Sequence, residues 1–494
     1  MLLLGIDIGT SSVKVSVVNT VTQTVIASAQ YPEQESPILS LQTGWAEQSP
    51  DMWWQQTGHA IALCHKKGGY LPKDIAAIGI AYQMHGLVLV DKNHQVLRNS
   101  IIWCDSRAVE IGDKAFEDIG HEACLSHMLN SPGNFTAAKL AWVKQNEPDI
   151  YEQIDKVMLP GDYIAMKLTG EITTSPSAMS EGIFFDFQFN GLSKDIIEYF
   201  GFSDSLFPVV KPVFSSHGRV TAEVAAALQL NTGTPVTYKA GDQPNNALSL
   251  NVLKPGEVAA TAGTSGVIYG VSDQLAYDQQ SRVNTFAHVN YTNENKRLGV
   301  LLCINGTGSL YRWVKTAAAP HLSYAQMTAE AALMPIGSNG LRVLPFGNGA
   351  ERMLCNKQVG AHLHGIDLNL HTPAHIYRAA QEGIACAFRY GLDIMRENGM
   401  NPTVIRASRT NMFLSDVFTQ AFVNTTGVPV ELYHNDGSMG AALGAGIGAE
   451  IFASATEAFS NNKAVAYVEP TNTAGYNAVY EDWKTVLNQH LSYQ

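Results

Sequence analysis

Two short loops rich in glycine and hydroxyl residues have the clearest capacity for phosphate chemistry. Gly9-Thr10-Ser11-Ser12 follows an apolar segment near the start of the chain, and Gly263-Thr264-Ser265 repeats the pattern about half the chain length later. Glycine lets a turn approach a ligand closely, while hydroxyls and successive backbone N–H groups form a concave anion site. Each loop alone could be an ordinary tight turn. A repeat at this distance favours duplicated domains that bind phosphate groups.

Two aspartates stand where predicted strands end. Asp7 ends the apolar strand before the first loop, and Asp242 follows a predicted strand over residues 236–240. A carboxylate only accepts hydrogen bonds, so it can take a proton from a hydroxyl or hold a cation. Taken singly, Asp7 is equally explained as a polar hairpin end, and Asp242 as a turn or a helix cap.

The elements that must position these residues alternate between strands and helices. Each glycine loop is predicted to join the two strands of a β-hairpin, because apolar residues precede the turn and β-branched residues follow it. Further strands are predicted over residues 75–81, 87–90 and 300–304. This alternation in both halves predicts α/β domains with a ligand in the crevice between them.

Two helices are predicted in the second half. One begins with Thr372 as N-cap and ends at Gly399, and another begins at Asn411 and ends at Gly427. The small-residue run over residues 437–446 predicts a helix that packs closely against its neighbours. A domain boundary is predicted near residues 244–256, where prolines and a glycine interrupt the pattern.

Composition narrows the class of protein. A chain of 494 residues exceeds what one hydrophobic core supports, which predicts two domains. The net charge of -12 gives no electrostatic footprint for nucleic acid or an anionic membrane. The six cysteines form no CxxC pair, which argues against a zinc site or a disulfide framework and favours the cytoplasm. No apolar run approaches the length of about 18 residues that would span a membrane, and no targeting segment is predicted.

Several motifs occur together in one order along the chain: Asp7-Ile-Gly-Thr-Ser-Ser-Val-Lys14, Trp45-Ala-Glu-Gln48, Gln83-Met-His-Gly86, Trp103-Cys-Asp-Ser-Arg107, Gly241-Asp-Gln243, Gly263-Thr-Ser-Gly266 and Leu344-Pro-Phe346 before Glu351-Arg352. Through them nearly the whole chain resembles the FGGY carbohydrate kinases, and among these the xylulokinases most closely. The resemblance implies an α/β fold of two actin-like (ribonuclease H-like) ATPase domains, with mixed sheets flanked by helices and a cleft between them. It implies a sugar-binding domain over residues 1–246, which contains the first phosphate loop, and a nucleotide-binding domain over residues 247–494.

The resemblance also assigns roles at the phosphate-transfer site. It implies that Asp242 is the catalytic base and contacts Mg²⁺, and that Asp7 holds Mg²⁺ through water, since magnesium dehydrates reluctantly. The residues implied to bind ATP are Thr10, Ser11, Ser12 and Lys14 in the first half, and Gly263, Thr264, Ser265, Gly308, Ser408 and Asn411 in the second. The residues implied to bind the sugar are Gln83, Met84, His85, Asp105 and Arg107.

Three departures from the family pattern bear on substrate and nucleotide. Gln243 follows the catalytic aspartate where xylulokinases often carry asparagine, and Ala178 replaces an acidic or amide residue of relatives. Residues 406–411 replace a glycine-rich loop near the expected adenosine, and their Cβ atoms are expected to displace or weaken that ligand. Asn411 could contact the nucleotide or simply cap its helix.

These observations predict an ATP- and Mg²⁺-dependent kinase that phosphorylates a ketopentose, with D-xylulose at O5 the leading case. Gluconate, ribulose and other polyols remain alternative substrates. A catalytically weak sugar-binding regulator and a chaperone-like or filament-forming actin relative remain alternative functions. The expected partners are the sugar and MgATP, with no nucleic acid and no membrane, and a homodimer is left open.

Overall fold

The computed structural model describes residues 1–492 of the chain. The strands of the first half are β1 (Leu2–Ile8), β2 (Val13–Asn19), β3 (Val25–Tyr31), β4 (Glu47–Gln48), β5 (Ile75–Tyr82), β6 (Val88–Val90), β7 (Ser100–Ile101), β8 (Lys156–Met158), β9 (Thr173–Thr174), β10 (Phe185–Asp186), β11 (Gly191–Leu192), β12 (Val209–Val210) and β13 (Val236–Gly241). The helices of the first half are α1 (Pro50–Lys67), α2 (Val109–Ile119), α3 (His121–Met128), α4 (Thr136–Asn146), α5 (Pro148–Tyr151), α6 (Pro160–Thr169), α7 (Pro176–Glu181), α8 (Lys194–Phe200), α9 (Ala222–Leu228) and α10 (Asp242–Ser249).

The second half continues the alternation. Its strands are β14 (Val258–Ala262), β15 (Gly266–Ser272), β16 (Asn284–Ala287), β17 (Leu298–Ile304), β18 (Arg342–Phe346), β19 (Gly360–His364), β20 (Ile405–Ser408), β21 (Val430–Tyr433) and β22 (Ala466–Val468). Its helices are α11 (Gly308–Ala318), α12 (Tyr324–Ala332), α13 (Pro373–Glu397), α14 (Asp416–Thr426), α15 (Gly437–Gly448), α16 (Ala455–Ala458) and α17 (Thr473–Ser492).

The two halves carry sheets of the same design. In the first, the strand order is β13-β5-β1-β2-β3, with β13, β5 and β1 parallel and β1, β2 and β3 antiparallel. In the second, the order is β16-β17-β15-β14-β20-β21-β22, with β14, β20 and β21 parallel and β14, β15 and β17 antiparallel. The fold is therefore α/β with two mixed sheets flanked by helices, as predicted.

Both predicted β-hairpins are confirmed. β1 pairs with β2 across the Gly9 loop, and β14 pairs with β15 across the Gly263 loop. The first strand of each hairpin has a parallel neighbour: β1 pairs with β5, and β14 pairs with β20. The carboxyl ends of these parallel strands therefore lie at the same edge of each sheet. The Gly9 loop and the segments that follow β5 and β13 consequently gather at one edge of the first sheet.

The predicted helix after Thr372 is also confirmed, whereas the next one starts later than predicted. Pro373 opens α13 behind Thr372, whose side chain caps the helix together with His375. Asn411 instead begins a 3₁₀ turn (Asn411–Leu414), and the Ser415 side chain accepts from the backbone of Phe418 to cap α14. Capping therefore does not explain Asn411.

One helix of the second half lies on the sheet of the first. α15 packs against β1, β2, β5 and β13. A Cβ atom on Gly5 would overlap the carbonyl oxygen of Ser438, and one on Gly79 would overlap that of Ala441, so only glycine permits this approach. The hydroxyls of Ser16 and Ser438 are 2.7 Å apart across the contact. The close packing predicted for the small-residue run is thus directed at the other half of the molecule.

The described residues bear on two predictions, those about disulfide bonds and membrane-spanning segments. All six cysteines are free thiols. None of the helices within residues 1–492 is both long and apolar enough to cross a membrane.

Candidate active site

Asp7 lies at the carboxyl end of β1, where the first glycine loop begins. It pairs with Lys14 across the hairpin, and the backbone of Gly437 packs so closely on its carboxylate that a Cβ there would overlap Oδ2. Burial raises the pKa of Asp7 to about 6; the charge of Lys14 opposes this shift and that of Asp436 adds to it. The Asp7 carboxyl therefore occupies a crowded, electronegative position.

Asp242 is the first residue of α10 and directly follows β13. Burial, and after it the charge of Asp7, raises the pKa of Asp242 to about 7, while hydrogen bonds from Gln243 favour the ionised form. Because the Asp7 charge contributes to this shift, the two carboxyls lie within electrostatic range. A carboxyl with a pKa near neutrality can accept a proton and release it again at physiological pH.

The electrostatics of Asp7 and Asp242 fit a hydrated divalent cation. Each carboxyl has a raised pKa, so a nearby positive charge would favour the ionised form of both. Within residues 1–492, no three His, Cys, Asp or Glu side chains are arranged to hold a metal by themselves. Mg²⁺ needs no such cage, because it is commonly held by one or two carboxylates, waters and substrate phosphates.

The first glycine loop is held by its own backbone. The N–H of Gly9 donates to the carbonyl of Ser12 at 3.0 Å, and Ser36 N–H donates to the carbonyl of Ser11 at 2.8 Å. Ser11 and Lys14 are exposed, whereas Ser12 is buried. Of these three predicted phosphate ligands, Ser11 and Lys14 are thus the accessible ones.

The Thr10 hydroxyl makes hydrogen bonds to two other side chains of the protein. Its Oγ1 accepts from Trp103 Nε1 at 2.9 Å and donates to Gln83 Oε1 at 3.2 Å. The donor capacity of the hydroxyl is therefore used by Gln83, and Thr10 links the phosphate loop to the segment after β5.

Gln83 and Met84 lie between the first loop and Asp242. Gln83 is 2% exposed and donates from Nε2 to Gln48 Oε1 at 3.1 Å. The Met84 side chain lies over the Cα of Gly241, next to Asp242. Met84 therefore borders the candidate catalytic base, whereas the Gln83 amide is engaged in internal hydrogen bonds.

His85 is fixed in a left-handed backbone conformation, with φ 63°. Its Nδ1 lies 2.9 Å from the carbonyl of Glu181, and its ring packs against Phe135 with centroids 4.8 Å apart. Burial, assisted by the Lys139 charge, lowers the pKa of His85 to about 3. The imidazole is neutral at physiological pH and can both donate and accept a hydrogen bond.

Asp105 and Arg107 are directed at each other. Asp105 is fully buried and accepts from Arg107 Nη2 at 2.7 Å and from the backbone of Ala46 at 2.5 Å. Arg107 also pairs with Glu47 at 2.7 Å and stacks over Trp45, 3.8 Å from the ring centroid. The structure thus separates these two predicted sugar ligands from solvent and gives both side chains internal partners.

The second glycine loop borders a cavity of about 590 Å³. Gly263, Thr264, Gly308 and Asn411 line it together with Tyr311. The N–H of Gly308, at the start of α11, donates to the Gly263 carbonyl at 2.9 Å, and a Cβ on Gly308 would overlap that oxygen. Four of the predicted nucleotide ligands are therefore brought together in one cavity.

Ser265 and Ser408 are not among the described residues that line this cavity. The Ser408 hydroxyl donates to Asn435 Oδ1 at 2.6 Å. Ser265 hydrogen-bonds to the thiol of Cys303, whose pKa is raised to about 12, mainly by burial. Ser265 lies in the Gly263 loop and Ser408 ends β20, and the sequence pattern could not show which way either side chain faces.

The non-glycine segment at residues 406–411 differs from the expected obstruction. Arg406 belongs to β20 and pairs with Glu257 at 3.4 Å and Glu431 at 3.1 Å. Thr410 has an ordinary extended φ of −140°, and the left-handed conformation falls on Asn411, with φ 51°. Asparagine tolerates that conformation better than most residues. The segment therefore turns without glycine, and the cavity beside it remains open.

Sequence reasoning missed three buried polar residues around the site. Gln48 stands in the Trp45-Ala-Glu-Gln48 motif, and its side-chain amide forms hydrogen bonds with Thr10 and Gln83. Glu181 lies against Gly241, and burial, followed by the charge of Asp242, raises the pKa of its carboxyl well above the ordinary value. Lys139 is fully buried behind His85. Only Gln48 carried a sequence signal, because it stands in the motif series.

Comparisons with known proteins agree with this geometry. The family model for the N-terminal domain of FGGY carbohydrate kinases matches residues 2–249, and the model for the C-terminal domain matches residues 258–449. The chain is 30% identical to the xylulose kinase of Bacillus subtilis strain 168, over 98% of this chain and 96% of that protein. It is 29% identical to the xylulose kinase of Escherichia coli K12, over 91% of this chain and 90% of that protein.

Solved structures show the same relationship. The crystal structure of xylulose kinase from Rhodospirillum rubrum superimposes with a TM-score of 0.88 and 28% identity, covering 100% of this chain and 99% of that one. Both FGGY domains are thus present in order, on the expected pair of mixed sheets. The chain belongs to the FGGY family of carbohydrate kinases.

Proposed function

We propose that this carbohydrate kinase transfers the γ-phosphoryl group of ATP to a ketopentose, with D-xylulose at O5 as the substrate. The observation that carries the proposal is the position of Asp242, whose pKa is raised to about 7 beside Asp7 and Met84. A base of this strength is matched to neutral pH. The xylulose kinases among the relatives support the choice of sugar.

In the proposed reaction Asp242 accepts the proton of the terminal sugar hydroxyl. The oxygen forms a bond to the γ-phosphorus as the bond from that phosphorus to the β-phosphate oxygen breaks, leaving ADP and a sugar phosphate. Phosphoryl transfer relies mainly on positioning and on stabilising negative charge. Neutral His85 and Met84 would orient the sugar, and Ser11 with Lys14 would meet the terminal phosphates.

Nucleotide binding is assigned to the cavity lined by Gly263, Thr264, Gly308 and Asn411. Asp7, through water, and Asp242 would hold Mg²⁺, which neutralises charge on the phosphate oxygens. Residues 1–246 would then supply most of the sugar site, and residues 247–494 most of the nucleotide site. Asp105, Arg107, Ser265 and Ser408 would support the site from behind, because their side chains have internal partners.

A coupled ADP-release assay over a panel of ketoses, aldonates and polyols tests the proposal. We expect turnover with MgATP to depend on the sugar and to be highest with D-xylulose. Asp242→Asn should lower kcat by about 10²-fold or more, since general-base catalysis contributes about 10²–10⁴-fold. Asp118→Asn, which removes a carboxylate from an exposed ion pair on α2, should leave kcat unchanged.

Three results would reject the proposal: no sugar-stimulated turnover, a preference for another sugar class, or unchanged kcat in Asp242→Asn. Calorimetry with MgATP separates the kinase from a catalytically weak sugar-binding regulator. Affinity in the range of ordinary kinase substrates supports the kinase, because the cavity beside Asn411 is open.

A further inference from the structure

Gln48 belongs to the Trp45-Ala-Glu-Gln48 motif, for which the proposed reaction has no role. It ends β4 just before α1 and is 2% exposed. Its Oε1 accepts from Trp53 Nε1 and from Gln83 Nε2, each at 3.1 Å. Its Nε2 donates to the carbonyl of Thr10 at 2.8 Å and to that of Pro37 at 3.3 Å. The full capacity of the amide, two donors and two acceptor positions, is used.

Two of these partners stand in different loops of the site. Thr10 lies in the phosphate loop after β1, and Gln83 begins the predicted sugar loop after β5. They also contact each other, since Thr10 Oγ1 donates to Gln83 Oε1 at 3.2 Å. Thr10, Gln48 and Gln83 therefore form a closed ring of hydrogen bonds. Every member of the ring loses a buried partner if one loop moves without the other, and leaving a buried polar group unpaired is unfavourable.

The strands behind the loops cannot transmit such a movement by themselves. β1 and β5 are parallel neighbours in register from Leu3 to Ile8, so their backbones form one rigid sheet. The N–H of Gln83 continues this ladder by donating to the carbonyl of Ile8 at 2.8 Å, and the ring carries the connection on from there to Thr10. A fully satisfied buried network holds its members in one arrangement.

We propose that Gln48 is a positioning residue that couples sugar binding to nucleotide binding by tying the sugar loop at Gln83 to the phosphate loop at Thr10. The inference rests on the proposed function, which puts the sugar at Met84 and His85 and the phosphates at residues 10–14. Sugar that fixes the loop at Gln83 also fixes the loop at Thr10 through the ring, so part of the ordering cost of nucleotide binding is met beforehand. Thermodynamic linkage makes the effect reciprocal.

Calorimetry measures the coupling directly. The dissociation constant of the magnesium complex of AMP-PNP, a non-hydrolysable ATP analogue, is determined without sugar and with saturating D-xylulose. For the wild type we expect the sugar to tighten nucleotide binding about fivefold or more, the lower end of typical coupling. For Gln48→Glu we expect a ratio near one, because a carboxylate cannot donate to the Thr10 carbonyl. The ratio cancels any uniform effect of the added charge on nucleotide affinity.

Trp53→Phe is the matched control. It removes a partner of the Gln48 amide that lies on α1 and outside the ring, and it opens space in the core, so thermal stability should fall. The coupling ratio should nevertheless remain that of the wild type. A merely structural Gln48 would instead give ratios that follow stability in both variants.

Gln83→Glu opens the same ring from its other side, because it loses the donor to Gln48, and it serves if Gln48→Glu does not fold. Its ratio should also approach one. Coupling of fivefold or more in either folded glutamate variant overturns the inference, as does loss of coupling in Trp53→Phe. If the wild type phosphorylates D-xylulose but shows a ratio near one, the inference fails and the proposed function stands. If the wild type turns over no sugar, the proposed function fails first.

Discussion

Glu351 is a buried acid that binds the loop before α11. It is fully buried, and both of its oxygens accept from the backbone N–H of Asn305, at 3.1 and 3.2 Å. Burial raises the pKa of Glu351 to about 7, although these hydrogen bonds oppose the shift. The desolvation of the charged form therefore outweighs the stabilisation by the donor.

This raised pKa makes stability depend on pH with a definite sign. Between the ordinary glutamate pKa and about 7, the folded state holds a proton that the unfolded chain releases, so the free energy of unfolding falls as pH rises through this window. Glu351→Gln removes the contribution. Relative to the wild type, its free energy of unfolding should rise by about 1–3 kcal/mol between pH 5 and pH 8, measured by urea denaturation. Glu294→Gln, at an exposed position, is the control, and equal pH dependence in wild type and Glu351→Gln would contradict the prediction.

At the scale of one element, α4 carries two lysines that make the same kind of contact in different places. Lys139 is fully buried and donates to the carbonyls of His85 at 2.9 Å and Ile102 at 3.0 Å. Lys144 donates to the carbonyls of Phe200 and Gly201, at 2.8 and 2.5 Å. Burial lowers the pKa of Lys139 to about 7. α4 thus holds the loop of His85 through one lysine and the end of α8 through the other.

Lys139→Met should therefore affect the sugar and spare the nucleotide. Methionine keeps most of the aliphatic stem but removes the donors that fix the His85 backbone, and a buried carbonyl left without its donor costs about 1–3 kcal/mol. Steady-state kinetics should show the KM for the sugar raised about tenfold or more with little change in the KM for MgATP. Lys144→Met loses the same number of carbonyl contacts away from the site, and it should leave both KM values unchanged. Equal increases in both KM values for Lys139→Met would indicate general disruption instead.

The elements themselves were predictable where local signals agree. Glycine and hydroxyl residues between apolar and β-branched runs predicted both hairpins, and Thr372 with Pro373 predicted the start of α13. The start of the next helix was misplaced because Asn411 and Ser415 are both capping residue types, and the intervening 3₁₀ turn has no distinct sequence signal.

Contacts between distant elements were beyond the sequence. Asp105 and Arg107 are two residues apart, and nothing local shows that they form an ion pair enclosed by Trp45 and Trp142. The open cavity proposed for the nucleotide likewise depends on how the 3₁₀ turn at Asn411 faces α11. The motif series therefore pointed to residues that the structure brings near one another, such as Gly263, Gly308 and Asn411, but it could not show the direction of each side chain.

At the scale of the whole molecule, one hydrophobic cluster combines residues from both halves of the chain. α15 comes from the second half, but its residues Ala441 and Leu443 share a hydrophobic cluster with Leu3, Ala77 and Tyr238 of the first. The first sheet thus depends for its cover on residues nearly 200 positions beyond the predicted boundary at residue 246. A division by ligand-binding role need not be a division into separately stable parts.

Separate expression of residues 1–246 tests this dependence. Without α15, the buried face at Gly5 and Gly79 would be exposed to water, and an apolar face of this kind promotes aggregation. We expect the fragment alone to be aggregated or to lack a cooperative thermal transition. Co-expression with residues 247–494 should yield a soluble one-to-one complex, because the second fragment supplies the missing helix. A monomeric fragment 1–246 with cooperative unfolding would contradict the prediction, and it would show that the first sheet is stable without the helix that covers it.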